Sequence, residues 1–483
     1  MRHPGVIAFN SSLSRRYFSV IILVLVILPS HTSGLVSGHA HNTPQAGKKA
    51  NPSAPRSLSP RLILPPEQNE IGPVTVSPDG RLLATATSRR RRSVARRLLG
   101  LVTLSSTEDQ FRSDSLIKLW DAGNGELKKV ISDVTVDHVS ALVFSPDARA
   151  LLASDGSWPP RLKLWDLQTG KLLFEGPGHR IGFSSDGSTL AITTKQCNAR
   201  LIDVATGTVK AILTVGTKPH QWDFCSVRVY LSNDNQRLIT ASSDRDSELW
   251  DMHTGRQLAV LTGTDYLNYS YWDGDTEMFS PDGKTAITAK TDFSYPHATR
   301  TLDVWDASTG KLLRSIDNAA EPVRFSPDGK VFAARSTLRS EPEASFSLWE
   351  VETGKLIKTF RERKAVAGDI AWGPDGRTIA VSGDKLRIWD VESGKLRTTL
   401  PVVVDWEFNF VGTVGNWDQL FFSPDSRFLI VANEKSTRII DVKSGAVLEK
   451  IDKLRLGSFT PEGYWVTRTT DKRSVAVWGL PAN

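Results

Sequence analysis

From residue 61 onward the chain is built of short apolar runs that alternate with polar residues at a period of two, each run closed by a turn-forming string. The segment "VRFSPDGKVFAARS…SFSLWEVETGKLIKTF", residues 323–360, shows one full unit. Period-two alternation over four to eight residues predicts half-buried strands. Ser-Pro-Asp-Gly is a tight-turn sequence, because Pro presets φ at its second position and Gly closes the fourth. The "TG" of "WEVETGK" places a glycine where a hairpin needs positive φ. Each unit therefore reads as strand a, turn, strand b, loop, strand c, turn, strand d.

The unit recurs. The turn string stands at Ser77, Ser145, Ser184, Ser232, Ser280, Ser326, Gly373, Ser423 and Thr460, nine copies in all. Each copy is followed by an apolar–acidic pair: Trp120–Asp121, Trp165–Asp166, Ile202–Asp203, Trp250–Asp251, Trp305–Asp306, Trp349–Glu350, Trp389–Asp390 and Ile440–Asp441, with Trp478–Gly479 in the ninth. The repeat resembles the WD-repeat family over residues 61–480, which implies an all-β fold of four-stranded blades set radially round a central channel. That family often carries an Asp six residues before the Trp and a Gly-His before strand a, joined in a buried hydrogen-bond network. Here only Asp114 and Asp244 stand at the Asp position, and His138, His179 and His220 fall near the His position. The network is expected to be mostly missing and the blades to rely on strand packing, as in the looser WD repeats of bacterial exported proteins.

Nine a, b and c strands are counted but only eight d strands, since the chain stops just after the last strand c. An unpaired edge is a liability. "RLIL" at 61–64 is the candidate to supply the missing strand and close the ring. The expected fold is one closed propeller of eight or nine four-stranded blades, nine being the number counted.

Upstream of the repeats, Arg15 and Arg16 precede the apolar run "YFSVIILVLVIL", and "SGHA" ends at Ala40. About a dozen apolar residues suit an export signal and fall short of the roughly 20 of a membrane span. Residues 1–40 are read as a cleaved signal, with an uncleaved anchor as the alternative; 41–60 as a disordered Pro-rich linker; and 61–483 as the propeller. The expected address is exported: periplasmic, secreted or at the cell surface. The formal net charge is +7; without the three arginines of the first 40 residues it is +4, and without six more in "SRRRRSVARRLLG" it is −2. The basic character thus belongs to one stretch, Arg89, Arg90, Arg91, Arg92, Arg96 and Arg97, and not to a generally basic surface. Export argues against genomic nucleic acid as partner. The run reads as a solvated loop, a contact for an anionic envelope component, or a proteolytic site.

A four-strand meander puts the a–b and c–d turns at one end of every blade and the b–c and d–a connections at the other. The first set is short throughout. All the irregular length falls on the second, and it carries Trp158, Trp222, Tyr266, Tyr271, Trp272, Tyr295, Trp406, Phe408 and Trp417. Loops on a rigid scaffold commonly carry binding, and aromatic anchors mark many contacts. The same rings could instead fold back and cap the channel. His138, His179, His220 and His297 fall on that face too, but three are readable as relics of the Gly-His position, so no metal is expected. Cys197 and Cys225, the only cysteines, are placed near the same end, either bridged or as two thiols. No nucleophile elbow, phosphate loop or dinucleotide fingerprint is present, so no catalytic residue and no cofactor is assigned. The function expected is a non-enzymatic, monomeric exported scaffold binding a protein, peptide or polysaccharide. The alternative is a propeller hydrolase or quinoprotein-like dehydrogenase with its site at the channel mouth.

Overall fold

The computed structural model describes residues 60–89, 114–134, 139–155, 160–178, 181–194, 196–215, 227–242, 245–262, 278–292, 299–336, 343–363, 367–383, 385–401, 419–432, 436–452, 456–459, 464–469 and 473–479. They form nine antiparallel sheets. Blade 1 is Ile71–Val76, Leu82–Arg89, Asp114–Asp121 and Leu127–Val134. Blade 2 is Val139–Phe144, Ala150–Asp155, Arg161–Asp166 and Leu172–Pro177. Blades 3 to 8 repeat the order, from Ile181–Phe183 to Val447–Asp452. In blade 5 the described inner strand is reduced to a bridge between Phe279 and Ala286. Of the two blade numbers expected from sequence, nine is the one observed.

The core lies between blades rather than within one. Along strand c, Ile117 and Leu119 of blade 1 face Trp165 of blade 2, while Trp120 turns the other way, toward blade 9. This is the two-residue period of a strand at work: alternate side chains serve alternate neighbours. One apolar cluster fills each of the nine junctions, including that between Val466, Val475 and Val477 of blade 9 and Val76, Leu83 and Trp120 of blade 1. The ring is closed.

The closing strand comes from the N-terminal side, as the strand tally requires. Leu62 pairs with Val477 and Ile63 with Ala476. The Arg61 N–H donates to Val477 O at 2.8 Å and the Leu64 N–H to Val475 O at 2.9 Å. The strand has only two residues in regular pairing because Pro60, Pro65 and Pro66 bracket it and offer no N–H. Leu62 takes the position that Lys129 holds in blade 1, opposite the residue before the strand-c Trp. That position leans on the next blade's c–d turn. Lys129 Nζ donates to Leu167 O at 3.1 Å, Arg314 Nη1 to Val351 O at 2.5 Å, and Lys358 Nζ to Val391 O at 3.1 Å. In the ninth blade the contact is apolar: a Cβ on Gly125, held at φ +75°, would lie 3.1 Å from Leu62 Cδ1. Glycine there serves both the left-handed turn and the close approach.

The a–b turns show why serine starts the string. Ser77 is fully buried; its Oγ donates to Asp79 Oδ1 at 2.5 Å and accepts from the Leu82 N–H at 2.9 Å. The same pair of bonds recurs at Ser145, Ser184, Ser232, Ser280, Ser326 and Ser423. One expectation from sequence needs correcting. The blades do not rely on strand packing alone, because half of a buried polar network survives in four of them. The indole N–H donates to a threonine hydroxyl at 3.0 Å from Trp120 to Thr85, 2.9 Å from Trp250 to Thr240, 2.8 Å from Trp305 to Thr288 and 2.7 Å from Trp478 to Thr467. In blade 4 the Thr240 hydroxyl in turn donates to Glu248 Oε2 at 3.1 Å, which extends the chain of bonds to an acid of the same sheet.

Candidate functional site: the loop-bearing face

Strand order and register fix the two faces of the ring. The Ser-Pro-Asp-Gly and Thr-Gly turns lie on one. The described strand ends that flank 90–113, 216–226, 263–277 and 402–418 all lie on the other. Two of the described b–c ribbons stand taller there. Strand b of blade 1 runs six residues past Leu83, the partner of Trp120, to Arg89 paired with Asp114. Strand b of blade 5 likewise runs six past Ala286, to Asp292 paired with Thr299. In blades 2 and 7 it runs four, to Asp155 and Gly383. Two extra residues raise these ribbons by about 7 Å. Blades 1 and 5 are four places apart in a ring of nine, so the raised ribbons stand on opposite sides of the channel.

Bulges shape the inner rim of this face. The register slips by one between Val139 and Ala141 and between Ala367 and Ile370, and by two between Ala320 and Arg324. A bulge turns a side chain out of the ladder's alternation. The Ser140 hydroxyl is thereby aimed at Asp155 O, 2.9 Å away. Asp369 Oδ1 accepts from the Ile370 N–H and, at 2.9 Å, from Arg324 Nη2 across the blade 6–7 junction. The Trp372 indole donates to Arg324 O at 3.1 Å. Arg324 and Asp369 are largely buried, so the ion pair ties two inner strands with its charges mutually neutralised. No local signal in the sequence marks this cluster, because the three residues meet only across a junction. Among the described residues no group of three or more His, Cys, Asp and Glu is placed to hold a metal ion.

Of the residues singled out from sequence, the structure describes Arg89 as the last residue of its strand. Arg90, Arg91, Arg92, Arg96 and Arg97 lie outside the described residues. So do Trp158, Trp222, Tyr266, Tyr271, Trp272, Tyr295, Trp406, Phe408 and Trp417, and the four histidines. Cys197 is buried at φ +56° against Val215 and Val227; Cys225 lies outside the described residues.

No family model matches the chain. A search of curated proteins finds similarity to the nuclear distribution protein nudF of Aspergillus niger, 27% identical over 53% of this chain and 60% of that protein. The nuclear distribution protein PAC1 of Arthroderma benhamiae is 30% identical over 43% of the chain and 49% of its own length. WD40-type proteins are homologues of this chain. The periodic tryptophan protein 2 of Arabidopsis thaliana, 25% identical over half of this chain, is another. The chain spans about half to three fifths of the first relatives' length. Among solved structures, a eukaryotic initiation factor superposes with a TM-score of 0.54 over 80% of this chain and 89% of its own, at 15% identity, which speaks for the fold alone.

Proposed function

We propose that this protein is an exported, non-enzymatic WD-repeat scaffold that binds a protein partner through its loop-bearing face. One observation carries the reading: in a closed ring the described strand ends that flank 90–113, 216–226, 263–277 and 402–418 all lie on a single face, and the sequence of the last three segments is rich in aromatic residues. A rigid ring lowers the entropic cost of presenting such loops, and clustered rings supply apolar area and polar tips in one patch. The WD40-type relatives support a binding role over catalysis. A peptide or polysaccharide would use the same aromatic surface, and the arginine run at the raised ribbon of blade 1 suits an anionic envelope component. Export rests on residues 1–40.

Affinity capture from the native envelope tests this. Trp272→Ala and Trp406→Ala weaken capture of the partner without lowering the melting temperature, while Lys355→Ala on the opposite face leaves capture unchanged. Equal capture by all three variants would overturn the reading. N-terminal sequencing of the recovered protein shows whether the chain begins after Ala40.

A further inference from the structure

In blades 1 to 8 the outer strand carries a bulge just after the c–d turn. In blades 5 and 6 that bulge turns two consecutive apolar side chains outward. We propose that the rim of blades 5 to 7 rests on an anionic lipid surface and holds the loop-bearing face away from it.

The outer strands of blades 5 and 6 are Leu312–Asp317 and Leu356–Arg363. Leu312 pairs with Trp305 and Arg314 with Val304, so Leu313 is the extra residue of blade 5. Leu356 pairs with Trp349 and Lys358 with Leu348, so Ile357 is that of blade 6. Regular alternation turns one of two consecutive side chains inward, and the bulge lets both face out. Leu312, Leu313, Leu356 and Ile357 are 43%, 44%, 51% and 49% exposed, and Leu396, at the same height in blade 7, is 39% exposed. Elsewhere the extra residue is Lys128, Lys210 or Arg397 in blades 1, 3 and 7, and a half-buried leucine in blades 2, 4 and 8. Among the described residues, only blades 5 and 6 expose two consecutive large apolar side chains.

An exposed lysine precedes each apolar stretch: Lys311, Lys355 and Lys395. Such a side chain lays its stem on apolar surface and reaches a phosphate with its head. Along the arc these three, with Arg314, Lys358 and Arg397, set six cations against five acids, Asp306, Glu350, Glu352, Asp390 and Glu392. Three of the acids are drawn into their own turns or strand: Asp306 accepts from the Ser308 and Thr309 N–H groups, Glu350 from the Thr353 hydroxyl, and Asp390 pairs with Arg397. The outward charge is therefore positive.

Other occupants fit this rim less well. The bulges break the edge that an added strand would need. The arc is the convex outside of a ring, so two copies would meet over one blade each, short of the roughly 1,200 Å² of a stable interface. A lipid surface yields to a convex ridge and takes apolar side chains about 5–10 Å into its interfacial layer. The five apolar residues stand at the turn end of their strands, so the ring tips its regular face toward the lipid and its raised ribbons away.

The test uses the full chain with vesicles of phosphatidylglycerol and phosphatidylcholine in equal amounts. Changing Leu312, Leu313, Leu356 and Ile357 together to Ser lowers partitioning about tenfold or more without lowering the melting temperature. Ile212→Ser, a more exposed site on blade 3, leaves partitioning unchanged. The four-Ser change keeps its effect when the six arginines of 89–97 are changed to Gln, which separates the rim from the arginine run. An environment-sensitive fluorophore on Ile357→Cys brightens on the vesicles, and the same label on Ile212→Cys does not, each read against the labelled wild-type background. The proposal is overturned if the four-Ser variant partitions like wild type, if Ile212→Ser loses as much, or if the label at 357 stays in water on vesicles that carry the protein. Trp272→Ala and Trp406→Ala leave partitioning unchanged, so failure of the partner-face reading is distinguishable from failure of this one.

Discussion

Trp389 packs beside Val381 with its indole N–H buried and without a hydrogen-bond partner among the described residues. Val381 stands opposite Arg387, two residues from the partner of Trp389. In four other blades that place holds the threonine that accepts the indole proton. Val381→Thr is nearly isosteric and brings a hydroxyl to the orphaned donor. We expect a gain of about 1 kcal/mol, since an unmet buried donor costs about 1–3 kcal/mol and the new hydroxyl gives some of that back in its own desolvation. The reverse change in blade 4, Thr240→Val, strips Trp250 of its acceptor and should cost about 1–3 kcal/mol. Urea midpoints of both variants check the pair, and a loss of stability in Val381→Thr would contradict the account.

That relationship also marks what the sequence conceals. The turn strings are legible because each residue has a local duty: the serine bonds within its own turn, and the glycine of "TG" sits at positive φ, as Gly170 and Gly354 do. The ninth outer strand was legible by tally alone. The Trp–Thr bond was not, although Thr85 and Thr240 are in plain view, because it depends on which strand-b residue falls beside the Trp. Register decides this, and a one-residue slip would exchange the faces. The Arg324–Asp369 tie joins different repeats and leaves no local trace at all. Lengths and aromatic content point to 263–277 and 402–418, but with no repeated pattern there, sequence names the segments without placing the rings.

Gly373 is the one described a–b turn whose serine is missing. Asp375 still accepts from the Arg377 N–H at 2.9 Å, but no hydroxyl joins it to Thr378. The glycine is not in the left-handed region, and an added Cβ would meet Asp375 Oδ1 at 2.9 Å, a contact with the end of a movable side chain. Gly373→Ser restores the two bonds seen in the other turns and narrows the unfolded ensemble. We expect about 1 kcal/mol of added stability. Thermal melts beside wild type would show a rise; a fall would mean that the Cβ contact dominates.

The turn aspartates make the ring sensitive to acid. The Ser326 hydroxyl holds Asp328 below the usual aspartate value of 3.8, the Ser308 hydroxyl does the same for Asp306, and the Thr254 N–H for Asp251. A carboxyl whose folded value is depressed contributes stability above its unfolded value and loses it as pH falls through the folded one. These groups therefore give their full effect near neutrality, and the melting temperature should hold from pH 7 to about 5 and drop between about 4 and 2. Asp328→Asn lowers the neutral value and shallows the acid drop. A melting temperature flat from pH 5 to pH 2 would show that these bonds do not contribute.

Leu64 tests ring closure most directly. Its side chain is 2% exposed in the cluster that joins blades 9 and 1, whereas Ile63 beside it points outward at 56%. The two have similar apolar volume and adjacent backbones, so they separate the effect of burial from that of strand propensity. Leu64→Ala removes buried methyl groups and leaves a cavity at the only junction made by distant parts of the chain, which should cost about 2–4 kcal/mol. Ile63→Ala should cost well under 1 kcal/mol. Hydrogen exchange then shows where the loss falls. Faster exchange at Val475 and Val477 with unchanged rates in blades 4 to 6 means that the ring opens at its seam. Equal acceleration around the whole ring means that the nine blades unfold as one cooperative unit and the seam has no separate opening.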